Sequence, residues 1–370
     1  MAPINIAALP VELQRAANIF AQFKTKEIRG HSGKVHTVAW SCDGRKLASG
    51  SVDKTARIWT PDKGTDIRYS IELKGHSEGI DQLVWDPTHV DRLATASTDR
   101  TVRIWDQRTG KCTATVRTTG ENINICWSPD GNHIAVGNKD DTVSIIDTRT
   151  YKVEKEQKHD FEVRQSPQSS PPHSLILPYS FFSHLSVNEI TWNHSGDLFF
   201  LTTGQGTIKI FEYPSLRPLH TLQAHTANCY CLEVDPRGRY LATGSADAIV
   251  SLWDLDEWVC VRTFGKLDWP VRTISFSHDG EYLASASEDL VIDIVSLRPF
   301  SYCPSCYQLP DASSHVESGE SIHKIQCTAA MNTVAWHPSR YLLAYAGDEA
   351  DHKKEYLGNL RIFGDWGKVL

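Results

Sequence analysis

Short runs of alternating apolar and polar residues, separated by tight turns, fill most of this chain. Residues 241–254 read LATGSADAIVSLWD. The β-forming positions Leu241, Ile249, Val250 and Leu252 flank the turn Ser245-Ala246-Asp247-Ala248, and Trp253-Asp254 closes the segment. That pattern predicts two strands joined by a turn. The preceding CLEVDPRGRYLA adds another strand and turn, so the whole predicts a four-stranded unit introduced by Ala224-His225. The unit recurs. An aromatic or apolar residue before the first turn marks each copy: Trp40, Trp85, Trp127, Trp192, Val234, Phe276 and Trp336, at spacings of 45, 42, 65, 42, 42 and 60.

Four of those spacings match the roughly 40–45-residue period of a WD repeat. The other two exceed it, which predicts insertions at 164–186 and 299–315. The second half of each unit also recurs, in segments that end at Trp59, Asp106, Asp147, Phe211, Asp254, Val295 and Phe363. One short antiparallel sheet cannot bury both of its faces. Seven sheets stacked around an axis can, so the chain is predicted to be all-β, a seven-bladed WD-repeat β-propeller. Residues 24–370 are assigned to it. Residues 1–23 form an N-terminal arm with a short helix over 10–23, where Leu13, Ala16, Ala17, Phe20 and Phe23 share one face. That helix either packs on the propeller's side or serves as a docking element. Because the first repeat starts in mid-blade, KTKEIR at 24–29 is predicted as the outer strand of the last blade, beside NLRIF, closing the ring and removing its open edges.

The polar marks have a structural role in this frame. A buried imidazole or carboxylate is costly unless paired. The expectation is therefore a hydrogen-bonded set inside each blade, made of a His, a strand hydroxyl, a turn Asp and a Trp. Three sets read as whole: His31, Ser49 or Ser51, Asp53 and Trp59; His76, Thr95 or Ser97, Asp99 and Trp105; and His225, Thr243 or Ser245, Asp247 and Trp253. The other four repeats have lost members.

A second column of residues points to function. Four positions before each anchor stand His36, Asp81, Ile123, Asn188, Tyr230, Arg272 and Asn332, a mixture of charge, amide and aromatic. Two residues later the column is uniformly apolar: Val38, Leu83, Ile125, Ile190, Leu232, Ile274 and Val334. The apolar column is predicted as core. The mixed one is predicted to lie at a rim, with His36, Asp81, Asn188, Tyr230, Arg272 and Asn332 as a candidate partner surface, because Tyr and Arg are enriched at interface hot spots. Trp269, three residues before Arg272, either packs over a blade end or extends this patch. Asn122 and Asn124 likewise either cap a loop or face a partner.

Composition narrows the function classes. Net charge is −7, so no global basic field draws the chain to nucleic acid or anionic lipid. The sequence has no apolar run near 18 residues and no signal-peptide pattern, which leads to the expectation of an intracellular protein. The nine cysteines are scattered through strand positions and read as buried thiols rather than a disulfide framework. Cys303 and Cys306 form a lone C-x-x-C; a structural zinc site needs four ligands and only Cys327 and His315 are at hand, so no metal is assigned. No phosphate-binding loop, nucleophile elbow or metalloprotease motif is present. The reading is of a non-catalytic protein with no cofactor and no small-molecule substrate. Residues 164–186 hold seven Ser, four Pro and no acidic residue. That is the composition of a loose loop, and also of pyrimidine-rich intron sequence read in frame.

At the level of whole phrases the chain resembles the family of WD-repeat third subunits of the THO complex. The phrases are VHTVAWSCDGRKLASGSVDKTA, GENINICWSPDG with AVGNKDD, and TGSADAIVSLWDLDEWVCVR followed by LDWPVRTISFSHDGEYLASASEDLVIDI. The resemblance implies a nuclear scaffold within TREX, the assembly that couples transcription and mRNA processing to mRNA export. Its partners would be other THO subunits and, through them, a helicase and an export adaptor. RNA contact would be indirect, with no membrane role. Two other classes stay open. Trp105-Asp106-Gln107-Arg108 fits the W-D-x-R pattern of substrate receptors for cullin-RING ubiquitin ligases, and WD subunits also serve chromatin modifiers.

Overall fold

The computed structural model describes residue 4 and residues 6–159, 187–297, 319–349 and 358–366. The expected insertions 164–186 and 299–315, with Cys303 and Cys306, lie outside the described residues.

Seven four-stranded antiparallel sheets follow one another along the chain. Blades 1 to 6 are continuous in order, over 35–74, 80–117, 122–158, 187–223, 229–264 and 271–326. Blade 7 is built from both chain ends: strands 331–336, 342–347 and 358–364 are completed by the strand Lys24–His31. Lys24 pairs with Gly364 and Ile28 with Leu360. The outermost strand of the ring is thus the first strand of the sequence, and no blade is left with a missing edge.

Period-2 alternation explains the local structure, and burial explains the ring. The apolar column Val38, Leu83, Ile125, Ile190, Leu232, Ile274 and Val334 is buried in every blade. Next to those residues the first strands carry side chains that bond the neighbouring blade's backbone. Thr333 Oγ1 accepts the N–H of Val38 at 3.2 Å, Gln82 Oε1 that of Ile125 at 2.5 Å, and Ser275 Oγ that of Trp336 at 3.1 Å. Glu233 Oε2 accepts the N–H of Phe276 at 3.1 Å. Two anchor indoles do the same in reverse: Trp40 donates to Ala335 O at 3.1 Å and Trp85 to Ala39 O at 3.0 Å. Gln82 in blade 2 also donates to both oxygens of Glu189 in blade 4, at 3.1 and 3.2 Å. That contact skips blade 3, so both side chains reach the central axis. Burial there pushes the Glu189 carboxyl up to about 7 and that of Glu233 up to about 8.

The helix α1, Val11–Gln22, is the one α-helix among the described residues. Of its two readings, packing is what the structure displays. Leu13, Ala16, Ala17 and Phe20 are buried in a cluster that holds Tyr282, Ile294 and Ile325 of blade 6 and Trp336, Leu343 and Phe363 of blade 7. Phe20 meets Tyr282 edge to face at 5.1 Å and Trp336 at 6.2 Å. The helix therefore straps the last seam of the ring. Among the described residues no helix is long and apolar enough to cross a membrane.

Candidate interaction surface

The first strand of each blade starts at one rim, where the turns between second and third strands also lie. From this entrance rim the polar sets run inward along their blades, from the His and turn Asp at the rim to the Trp of the third strand. In blade 1 His31 Nδ1 lies 2.9 Å from Asp53 Oδ2 and its Nε2 lies 2.8 Å from Ser49 Oγ, to which Trp59 Nε1 donates at 2.8 Å. In blade 2 the corresponding distances are 2.8 Å from His76 to Asp99, 2.7 Å from His76 to Thr95, and 2.9 Å from Trp105 to Thr95. The hydroxyls are thus Ser49 and Thr95. Ser51 and Ser97 instead accept the backbone N–H of the turn Asp and donate to the carbonyls of Gly33 and Glu78. Burial pushes the Asp53 carboxyl up, but the bonds from His31, Thr55 and the Ser32 N–H outweigh it and hold the group well below the usual carboxylate range. Burial holds the imidazoles of His76 and His225 below their ordinary value.

The third set differs from expectation. His225 lies 3.1 Å from Asp247 and 2.9 Å from Thr243, but Trp253 Nε1 is buried without a partner among the described residues. The reason lies one residue before the His. A Cβ built on Gly30 would sit 2.6 Å from Trp59 Cη2, and one on Gly75 would sit 3.2 Å from Trp105 Cη2. In blade 5 that residue is Ala224, packed in the same cluster as Trp253. Ala224 thus brings a methyl group to the place where blades 1 and 2 have none.

The mixed column gathers at the entrance rim around the axis, each member partly buried. It divides by partner. His36 Nδ1 faces Asp81 Oδ1 at 3.2 Å, linking blades 1 and 2. Arg272 Nη1 donates to Asn332 Oδ1 at 2.5 Å and to Asp348 Oδ2 at 3.2 Å, while Nη2 donates to Glu288 at 3.1 Å. Lys34 reaches Asp348 at 2.9 Å. Arg272 is therefore a link between blades 6 and 7, and through Asp348 and Lys34 to the lead into blade 1. Asn188 donates to Cys229 O at 2.8 Å, and Asn124 donates to Asn188 O at 2.9 Å. Both asparagines join neighbouring blades. The Tyr230 hydroxyl has no hydrogen-bond partner among the described residues.

Asn188, Tyr230 and Arg272 come together with Ile123 and Glu288 around an open cavity of about 420 Å³ at the channel mouth. Trp269 lies three residues before Arg272, and its N–H is held by Asp289, next to Glu288. The ring is not packed over the blade end: the residue is 57% exposed, and Leu290 on the adjoining turn is 54% exposed. Asp289 fixes this loop by accepting the N–H groups of Asp268 and Trp269 at 2.9 and 3.3 Å, as Asp53 does for Ser32 in blade 1. Trp269 is thus held on a braced loop. Glu288 and Leu290 were missed from sequence because they sit in a turn outside the anchored column. Trp105 and Asp106 of the W-D-x-R segment lie toward the opposite rim, where Arg108 pairs with its own Asp106 at 3.1 Å.

Residues 31–346 match the family model described as the THOC3 beta-propeller domain. The chain is 50% identical over 347 residues to THO complex subunit 3 of Arabidopsis thaliana, covering 93% of this chain and 96% of that protein. It is 34% identical over 375 residues to the WD repeat-containing protein AAC3 of Dictyostelium discoideum, covering 95% of this chain and 69% of the relative. The F-box-like/WD repeat-containing protein TBL1X of Mus musculus is more distant, 27% identical over 341 residues, covering 75% of this chain and 60% of that protein.

Proposed function

The chain belongs to the THOC3 beta-propeller family, and from that premise we propose that it is a non-catalytic scaffold subunit of the THO part of TREX, joining mRNA processing to export in the nucleus. The observation that carries this reading is 50% identity along nearly the whole length of a THO complex subunit 3. Its partners are other THO subunits, with the helicase and export adaptor reached through them. A net charge of −7 fits indirect contact with RNA.

The docking face in this proposal is the entrance rim at blades 5 and 6. Tyr230 and Trp269 are its anchors, since an aromatic ring beside a desolvated mouth supplies most of the contact energy at such surfaces. The polar remainder of the column, from His36 to Asn332, shapes and braces the mouth. Arg272→Glu would break the link among blades 6, 7 and 1, so the informative variant is Tyr230→Ala with Trp269→Ala. Affinity purification from nuclear extract should recover THO subunits with the wild-type chain and on the order of tenfold less with the variant, at an unchanged melting temperature. Wild-type recovery by the variant would move the contact away from this rim. A cullin adaptor or histone-modifying subunits in place of THO subunits would overturn the assignment itself.

A further inference from the structure

Blade 3 carries a cluster of side chains that the interaction surface does not use. His133 opens its second strand, Asp147 closes its third, and the two are paired directly across the ladder. Glu154 lies in the fourth strand at a bulge: Ile145 pairs with Lys155 and Ile146 with Val153, so Glu154 faces no partner residue. A bulge re-aims the extra side chain. One ligand-type atom from each of the three residues lies within 4.8 Å of the other two, and His133 Nε2 is 3.4 Å from Glu154 Oε2. The same positions hold Arg92, Asp106 and Thr113 in blade 2, and Tyr240, Asp254 and Val261 in blade 5. Neither combination can chelate. Blade 3 has an imidazole and two carboxylates on three adjacent strands.

Two further features distinguish this from a simple ion pair. His133 Nδ1 is buried and has no hydrogen-bond partner among the described residues, and Nε2 has only the 3.4 Å contact with Glu154. The ring is nevertheless held in place, edge-on to Tyr213 of blade 4 at 5.7 Å and 70°. Asp147 is held as well. Its Oδ1 accepts the N–H groups of Arg149 and Thr150 at 2.8 and 2.7 Å, which leaves Oδ2 for another partner. The facing Arg149 guanidinium, 3.6 Å from Oδ2, is largely exposed to solvent.

We infer that His133, Asp147 and Glu154 form a site for a divalent cation of the zinc class, with one nitrogen and two carboxylate oxygens as protein ligands and water completing the shell. Metal–ligand distances of about 2.0–2.2 Å place neighbouring ligand atoms of a tetrahedral site about 3.3 Å apart. The His133–Glu154 separation already meets that spacing, and the Asp147 ligand atom lies within 4.8 Å of both. The two carboxylates and a neutral imidazole carry a charge that a divalent ion cancels. The ion would clip the second, third and fourth strands of one blade together at the rim opposite the interaction surface, and would raise stability by binding only the folded chain.

The test uses the full chain with Cys303→Ser and Cys306→Ser, which removes the C-x-x-C pair. Titration calorimetry with zinc chloride should give one ion per chain, cobalt substitution should give a visible spectrum without a thiolate band, and zinc should raise the melting temperature. His133→Gln and Glu154→Gln should each weaken binding by about tenfold or more, since even changes outside the ligand shell act in that range. No binding by the parent chain, or wild-type affinity in both variants, would overturn the inference and leave His133–Glu154 as an ion pair only.

Discussion

Blades 2 and 5 present the same four polar residue types at the same places, yet only blade 2 joins all four. His76, Asp99, Thr95 and Trp105 form an unbroken chain of bonds. In blade 5 the chain runs from Asp247 through His225 to Thr243 and stops short of Trp253. Two small differences accompany this. Ala224 stands where blade 2 has Gly75. Ile249 stands where blade 2 has Thr101, whose hydroxyl donates to Asp99 at 2.6 Å. The set is therefore larger than the four residues that name it. A glycine that leaves room for the indole and a threonine that closes on the carboxylate belong to it too. Linked buried polar groups support one another, so losing two contributors loosens the others.

Removing the carboxylate should have the largest effect and should expose the difference most clearly. Asp53→Ala strands the His31 ring, the Ser32 N–H and both donors of Thr55, and should cost about 3 kcal/mol. Asp247→Ala strands as many groups, His225, both donors of Thr226 and the Ile249 N–H, but through longer bonds of 3.1–3.4 Å, and should cost about 1–2 kcal/mol. Chemical denaturation of both variants tests the order; equal losses would mean that the blade 5 set is as tightly joined as those of blades 1 and 2.

Next in size is the conversion of a whole set to the blade 5 arrangement. Gly30→Ala places a methyl group against Trp59 and should cost about 2 kcal/mol through overpacking and the lost indole bond. Double-mutant analysis with Trp59→Phe should recover much of that loss. A neutral Gly30→Ala would show that the glycine has no part in seating the indole.

The smallest effect is expected from the reverse change. Ala224→Gly frees space for Trp253 to reach Thr243, a gain of about 1 kcal/mol. The added backbone freedom of glycine offsets it by roughly 0.5–1 kcal/mol. The melting temperature should hardly move. The Trp253 indole N–H resonance, however, should shift and exchange more slowly with solvent. An unchanged resonance would mean that something other than Ala224 keeps the ring away.

Much of this architecture was legible before any coordinates, because it rests on local periodicity. The seven anchors count the blades. The apolar column from Val38 to Val334 marks the buried face. The mid-blade start of the first repeat predicts that 24–29 pairs with the C-terminal strand, as Lys24–His31 does. The N-terminal helix was legible as amphipathic, but its pattern suited a packed strap and a docking element equally. Only Tyr282, Trp336 and Phe363, far away in sequence, decide that the buried face of α1 is already occupied.

The sequence by itself determined the repeating unit, its number and the residue types in each polar set, since strand alternation and turn chemistry act over a few neighbouring positions. The tertiary structure alone decided who meets whom across seams. Ser49 and Ser51 share one strand face, and only their depth in the blade assigns Ser49 to His31 and Trp59 while Ser51 serves the turn. Arg272 reads only as a member of the rim column until blade 7 brings Asn332 and Asp348 to it. His133, Asp147 and Glu154 look unrelated until three adjacent strands place them side by side. Each of these contacts joins side chains from different strands or blades. Their distances are set by how the sheets pack around the axis, a property of the closed ring that no single repeat contains.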